Sequence, residues 1–220
     1  MKKIILFLLL SVSCAEPDQS SLSSVTHQKN AELINKARFM NEKDVEAFLK
    51  LVKNKEDEKI RKFLSDIKIN SKEKSSNQLP ILNPQEEKIC LVSWETQKKC
   101  ATILATGSYA FTMARLNYPL DIGKLDKRQD AFRHALWMGM SAYYVGKNFA
   151  LKFGEAHEYG SSSYSSSSAI SSLRLQMDLF NNEAGANSGL STTNDYRRLI
   201  KNGNLKIIIN NRIVPSNTDY

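Results

Sequence analysis

Apolar residues recur along most of the chain at helical rather than strand spacing. In residues 30–69 they fall at Leu33, Ala37 and Met40, then at Val45, Phe48, Leu49 and Val52, then at Ile60, Phe63, Leu64 and Ile67. Steps of three and four residues put each group on one helix face. Two or three amphipathic helices are therefore predicted here, with Asn41-Glu42-Lys43-Asp44 as a break and recap. Residues 86–116 read as a further helix, with Ile89, Val92, Trp94, Cys100, Ile103, Leu104, Tyr109, Phe111 and Met113 as core candidates. Asn117-Tyr118-Pro119 stops it. Helices follow over residues 130–145, 149–159 and 169–184, the last ending near Gly185, and a short basic helix covers 195–202. Only residues 205–214 alternate, around Asn210-Asn211, a pair suited to a hairpin turn. The expected fold is mainly α: a compact helical domain with a short C-terminal β-hairpin, preceded by an N-terminal helical region and a tether.

The segments between these helices set the organisation. Lys2 and Lys3 precede an apolar run over residues 4–10, too short to span a bilayer as a helix. With Ser13 before Cys14, the start resembles a bacterial lipoprotein signal, although Ser11 stands where leucine is usual and Leu10 lies one place further back. The resemblance implies acylation of Cys14 and stable anchoring to a membrane. An ordinary secretory peptide with an incidental cysteine is the other reading, and both imply export. Residues 15–28, rich in serine with Pro, Asp and Gln, carry too little apolar surface to order themselves, and His27 among them is expected to be inert. Residues 70–78 are polar and of low complexity, with Pro80 and Pro84 beyond them. The expected division is a signal peptide at 1–13, a tether at 14–29, amphipathic helices at 30–69, a linker at 70–82 and a helical domain at 83–220. Once Cys14 is set aside, Cys90 and Cys100 remain. An even pair in an exported chain suggests a disulfide, against two buried thiols; no third ligand makes them a zinc site.

A formal charge of +8 over 220 residues raises the question of a polyanionic partner. Much of the positive charge lies in residues 29–74 among carboxylates, as on a solvated helical surface. No basic stripe is interleaved with aromatics, so no nucleic-acid partner is expected. Weak attraction to anionic lipid is a more natural use of the charge.

The candidate chemistry lies at three apolar helices. Asp130 and His134 are four residues apart and share a helix face, so the carboxylate can orient the imidazole. Arg133 points about 100° round the helix. Glu155 and Glu158 flank His157 near a helix end. Asp178 shares a face with Asn181 and Asn182. Each group has a bland account: a satisfied core histidine, a solvated helix end, a cap beside Gly185. The spacing is not the His-Glu-x-x-His zinc pattern, and neither a nucleophile elbow nor a phosphate-binding glycine loop occurs.

Phe132-Arg133-His134-Ala135-x-Trp137, Ala156-His157-Glu158 and Met177-Asp178-x-x-Asn181-Asn182 together resemble an uncharacterised domain family of bacterial secreted proteins, over roughly residues 86–214. A looser similarity, in Asp130-x-x-Arg133-His134 at the head of an apolar helix, is to the superfamily of Wnt-type and VanZ-type proteins and secreted enzymes acting on lipids. It implies a polar pocket between helices in which His134 and His157 act on an ester or phosphoester of a lipid or lipid-linked envelope molecule. On this reading Asp130, Glu155 and Asp178 assist the histidines, and Arg133, Glu158, Asn181 and Asn182 hold the substrate. No cofactor is needed. A divalent-metal hydrolase using His134, His157, Asp178 and Glu155 is one alternative. A non-enzymatic, tethered envelope protein that binds a partner, with the polar cluster structural, is the other.

Overall fold

The computed structural model describes residues 19–68, 82–122, 126–160, 169–190 and 192–219. Cys14, the leader, most of the expected linker and the serine run at 161–168 lie outside the described residues.

Helix α1 (Gln19–Asn35) runs through a 3-10 turn (Lys36–Phe39) into α2 (Glu42–Lys53) and α3 (Asp57–Asp66). Asn41 caps α2 by accepting from the Asp44 amide, as the recap signal predicted. Helix α1 begins inside the stretch whose composition suggests a tether. Its last turns bury Ala31 and Ile34, and the helix extends back from that anchor. Ala37, Met40, Val45, Phe48, Ile60 and Leu64 belong to the same continuous core as the later helices.

Residues 86–116 form two helices where the periodicity predicted one: α4 (Pro84–Cys90) and α5 (Trp94–Asn117). The break comes from Ser93 and Thr96, each side chain bonding the other's backbone amide. Val92, expected in the core, lies in this turn and is exposed, as is Phe111. A disulfide between Cys90 and Cys100 spans the break, with its Cα atoms 5.7 Å apart. A loop of this length constrains the unfolded chain by about 3 kcal/mol on the entropic account.

Helix α6 (Arg128–Val145) is the centre of the domain. It packs against α5 on one side and α8 (Ala169–Asn187) on the other, with α7 (Lys147–Gly160) and α9 (Thr193–Lys201) also against it. Thr106 and Ser141 join α5 to α6 by a buried hydroxyl pair at 2.8 Å. Helix α8 continues through Gly185, which is a packing residue rather than a stop. A Cβ there would lie 2.1 Å from the Ala135 carbonyl oxygen, so only glycine lets α8 approach α6 this closely. Strands β1 (Lys206–Ile209) and β2 (Arg212–Pro215) form the expected antiparallel hairpin, with Ile208 opposite Ile213. Asn210 and Asn211 both take positive φ, as the tight turn requires. No helix among the described residues is long and apolar enough to cross a membrane.

Candidate functional site

The close α6–α8 crossing brings the first and third motifs together. Asp130 stands in the first turn of α6, where the positive end of the helix favours a carboxylate. Its oxygens accept from Arg133 Nη2 at 2.5 Å and from the Asp126 amide at 3.2 Å. One turn on, His134 is buried to 3% exposure. Its Nε2 lies 2.8 Å from Arg133 Nη2 and its Nδ1 lies 3.1 Å from Asn182 Oδ1. A guanidinium can only donate, so Nε2 is the acceptor and Nδ1 carries the proton. Asn182 Nδ2 in turn donates to Glu158 Oε1 at 3.0 Å, and that oxygen lies 3.4 Å from His134 Nδ1. Glu158 on α7, Asn182 on α8 and His134 on α6 thus form one buried chain.

Burial, and secondarily the Arg133 charge, depress the His134 pKa, so the imidazole is neutral. Burial alone would raise Asp130. The Arg133 guanidinium and the Asp126 amide outweigh it and hold the carboxyl below its usual range. Asp178 Oδ1 lies 3.3 Å from His134 Nε2. Donor atoms of Asp130, His134 and Asp178 all lie within 4.8 Å of one another, a set that suits a divalent cation.

His157 is not part of this chain. Its Nδ1 lies 2.7 Å from Glu86 Oε1. Glu86 is buried to 1% and fully engaged. Its Oε2 accepts from the Asn83 amide at 2.8 Å in the capping box of α4, and Arg38 Nη2 lies 3.3 Å away. Burial by itself would raise the Glu86 pKa. His157, Arg38 and the Asn83 amide overcome that and hold it low, so the pair is a carboxylate facing an imidazole. The α4 cap is fixed to α7 by Asn83 Nδ2, which donates to the Ala156 carbonyl at 3.1 Å.

Trp137 separates the two histidines, its ring edge-on to His157 at 5.0 Å and its Nε1 donating to the Ile103 carbonyl at 2.8 Å. Both histidines nevertheless face one cavity of about 430 Å³. Arg38 and Arg133 give it a cationic side, while Phe39, Leu104, Phe111 and Trp137 give it an apolar one.

The structure brings Asp130, Arg133, His134, Glu158, Asp178 and Asn182 together. Asn181 is committed elsewhere. It accepts from the Lys206 amide at 2.8 Å and donates to the Lys206 carbonyl at 3.0 Å, docking β1 on α8 rather than facing a ligand. Glu155 is exposed on α7 and makes no hydrogen bond or ion pair to the cluster among the described residues. The convergent donor set contains Asp130, not His157 or Glu155. Glu86 and Arg38 are the residues that sequence reasoning missed. Asn83-Pro84-x-Glu86 carries the signal of a capping box with proline at the first helical position, which finds the carboxylate but not its partner. Nothing in the sequence marks Arg38.

The charge states fix a pH dependence. Glu86 and Asp130, with depressed pKa values, contribute stability above the ordinary carboxylate range and lose it as pH falls through those lowered values. His134, also depressed, opposes folding when protonated, which begins below about pH 6.5 in the unfolded chain. All three act in one direction. The melting temperature is expected to fall as pH is lowered from about 7 to about 5, and His134→Gln should flatten that slope. An unchanged melting temperature over this range would contradict the neutral, buried assignment.

A domain of unknown function, DUF6973, matches residues 90–212, more than half of the chain, and the chain belongs to that family. The matched stretch contains His134, His157, Asp178 and Asn182, whereas Arg38 and Glu86 precede it. No curated protein and no solved structure matches the chain.

Proposed function

We propose that this DUF6973 protein is a hydrolase or transferase acting on an ester or phosphoester whose substrate has an anionic head and an apolar body, such as a lipid or lipid-linked envelope molecule. One observation carries the reading. His157, held from behind by the buried Glu86, lines the same cavity as two guanidinium groups and an aromatic wall. With Nδ1 engaged by Glu86, the free Nε2 of His157 takes a proton from water or an acceptor hydroxyl. That oxygen attacks the acyl carbon or phosphorus, the bond to the leaving oxygen breaks, and the proton on His157 passes to that oxygen. Arg38 and Arg133 hold the anionic oxygens. His134 is a neutral neighbour, anchored through Asn182 to Glu158. Export and anchoring through Cys14 would place this chemistry at a membrane.

A second reading rests on the convergence of Asp130, His134 and Asp178. These residues would hold a divalent ion, with Arg133 turned away from Asp130, and the ion would supply an activated water.

The test is mass spectrometry of an envelope-lipid extract, including lipid-linked cell-wall precursors, after incubation with the full chain. Parallel samples carry a chelator or added zinc, magnesium or manganese. A product that forms equally with chelator supports the metal-free reaction, and its mass identifies the bond. A product formed only with added metal moves the chemistry to the Asp130–His134–Asp178 set. No product in any sample, from a folded chain, would sink both and leave a binding protein with a structural polar network.

A further inference from the structure

A second cavity, of about 540 Å³, lies away from the histidines. It is formed by Arg197, Arg198 and Lys201 of α9, Arg128 at the start of α6, and Tyr118. Helix α9 buries Tyr196 and Ile200 and turns its basic residues outward. Arg128 is held in place by donating to the Ser216 and Thr218 carbonyls, each at 2.9 Å. Two acids offset part of the charge: Asp195 at 3.4 Å from Arg198, and Asp219 at 3.6 Å from Arg128. Arg197 and Lys201 are exposed and have no ion pair among the described residues.

Exposed apolar side chains stand on either side of Tyr118. Leu116 is 67% exposed, Leu120 86% and Ile122 49%. Eight large hydrophobic residues are exposed among the described residues, and three of them fall in this one seven-residue stretch. Leu120 sits in the tight turn Pro119–Asp121, which presents it at a tip. Tyr118 lines the basic groove and joins this stretch to it, and exposed aliphatic side chains so linked to exposed cations are poorly matched to water and well matched to a lipid interface. There, apolar side chains reach the acyl boundary and basic ones meet phosphate.

We propose that this face docks on a bilayer containing anionic phospholipid, with the α9 groove taking a phosphodiester headgroup and Leu116, Leu120 and Ile122 entering the interface. The partner is a lipid surface rather than nucleic acid, because the groove offers one aromatic ring for stacking, and the exposed side chains that flank this ring in the chain, Leu116, Leu120 and Ile122, are aliphatic. The proposal depends neither on His157 chemistry nor on acylation of Cys14.

It is tested with the chain from residue 14 onward carrying Cys14→Ser, which keeps every described residue and removes any acyl anchor. Co-sedimentation is measured with phosphatidylcholine vesicles, with and without phosphatidylglycerol. The expected result is binding only to the phosphatidylglycerol vesicles, weakened by salt. Arg197→Glu combined with Lys201→Glu should reduce it by about tenfold or more. Leu120→Ser should also weaken vesicle binding, yet leave any binding of glycerol phosphate unchanged; all variants should melt like the parent. Several results would overturn the proposal. These are equal binding to both vesicle types, no effect of the charge reversals, binding of glycerol phosphate without binding of vesicles, or a stronger preference for a DNA oligonucleotide.

Discussion

In the proposed reaction, His157→Ala is expected to reduce turnover by about a hundred- to ten-thousandfold, the span attributable to one positioned base, while the melting temperature stays near that of the parent. The separation of the two effects follows from burial. The His157 side chain is one-third exposed, so its removal opens no sealed void. Glu86 keeps Arg38 and the Asn83 amide as partners, and is not left as an unpaired buried charge. Glu86→Gln keeps an acceptor for the α4 cap but removes the charge facing the imidazole. It should lower kcat with little change in KM. Arg38→Gln should act mainly on KM, because the guanidinium faces the cavity. Turnover measured on the product found by mass spectrometry, beside thermal melts of each variant, checks all three. A His157→Ala variant as active as the parent would remove His157 from the proposed chemistry and leave the buried His134 cluster as the remaining candidate.

Gly185→Ala should destabilise the domain by about 3 kcal/mol or more, at the upper end of what overpacking costs. The direction is informative in itself. In an ordinary helix interior, replacing glycine with alanine stabilises by about 1 kcal/mol. Here the new methyl carbon would stand 2.1 Å from the Ala135 carbonyl oxygen and 2.6 Å from its Cα. Those are backbone atoms of α6 and cannot rotate aside, so α6 and α8 must move apart. The crossing is also what sets Asp130 and His134 against Asp178 and Asn182. The variant should therefore lose the neutral-histidine network along with stability, and the fall in melting temperature at lower pH should flatten. Chemical unfolding of parent and variant measures the first effect. A neutral or stabilising result would mean that the helices do not meet at this point. Gly139 lies on the same interface: a Cβ there would approach the Tyr196 hydroxyl and come within 3.0 Å of the Gly185 carbonyl oxygen.

Local rules explain how much was legible in advance. The helices announce themselves because residues such as Val45, Phe48 and Leu49 recur at the period of a buried face, and the hairpin because Asn210-Asn211 can adopt positive φ. The misplaced boundaries are local as well. Ser93 caps α5 through Thr96, a side-chain exchange that hydrophobic periodicity does not register, so one expected helix became two and Val92 moved from core to turn. The even cysteine pair indicated the disulfide that joins them.

The site divides along the same line. His134, Asp130, Asp178 and Asn182 were recognisable by residue type and helical spacing, since residues three or four apart on a helix must share a face. That Glu158 reaches Asn182, that Asn181 instead pairs with the Lys206 backbone, and that Glu155 points to solvent were all decided by how α7, α8 and β1 pack. Tertiary structure alone joined His157 to Glu86 and Arg38, which lie 71 and 119 positions away by their numbers in the chain. Sequence periodicity determines which side of each helix is buried; it carries no term for which buried side will face which. That choice is made by steric fit between distant helices, and in this protein it turns on a glycine at residue 185 that admits one backbone against another.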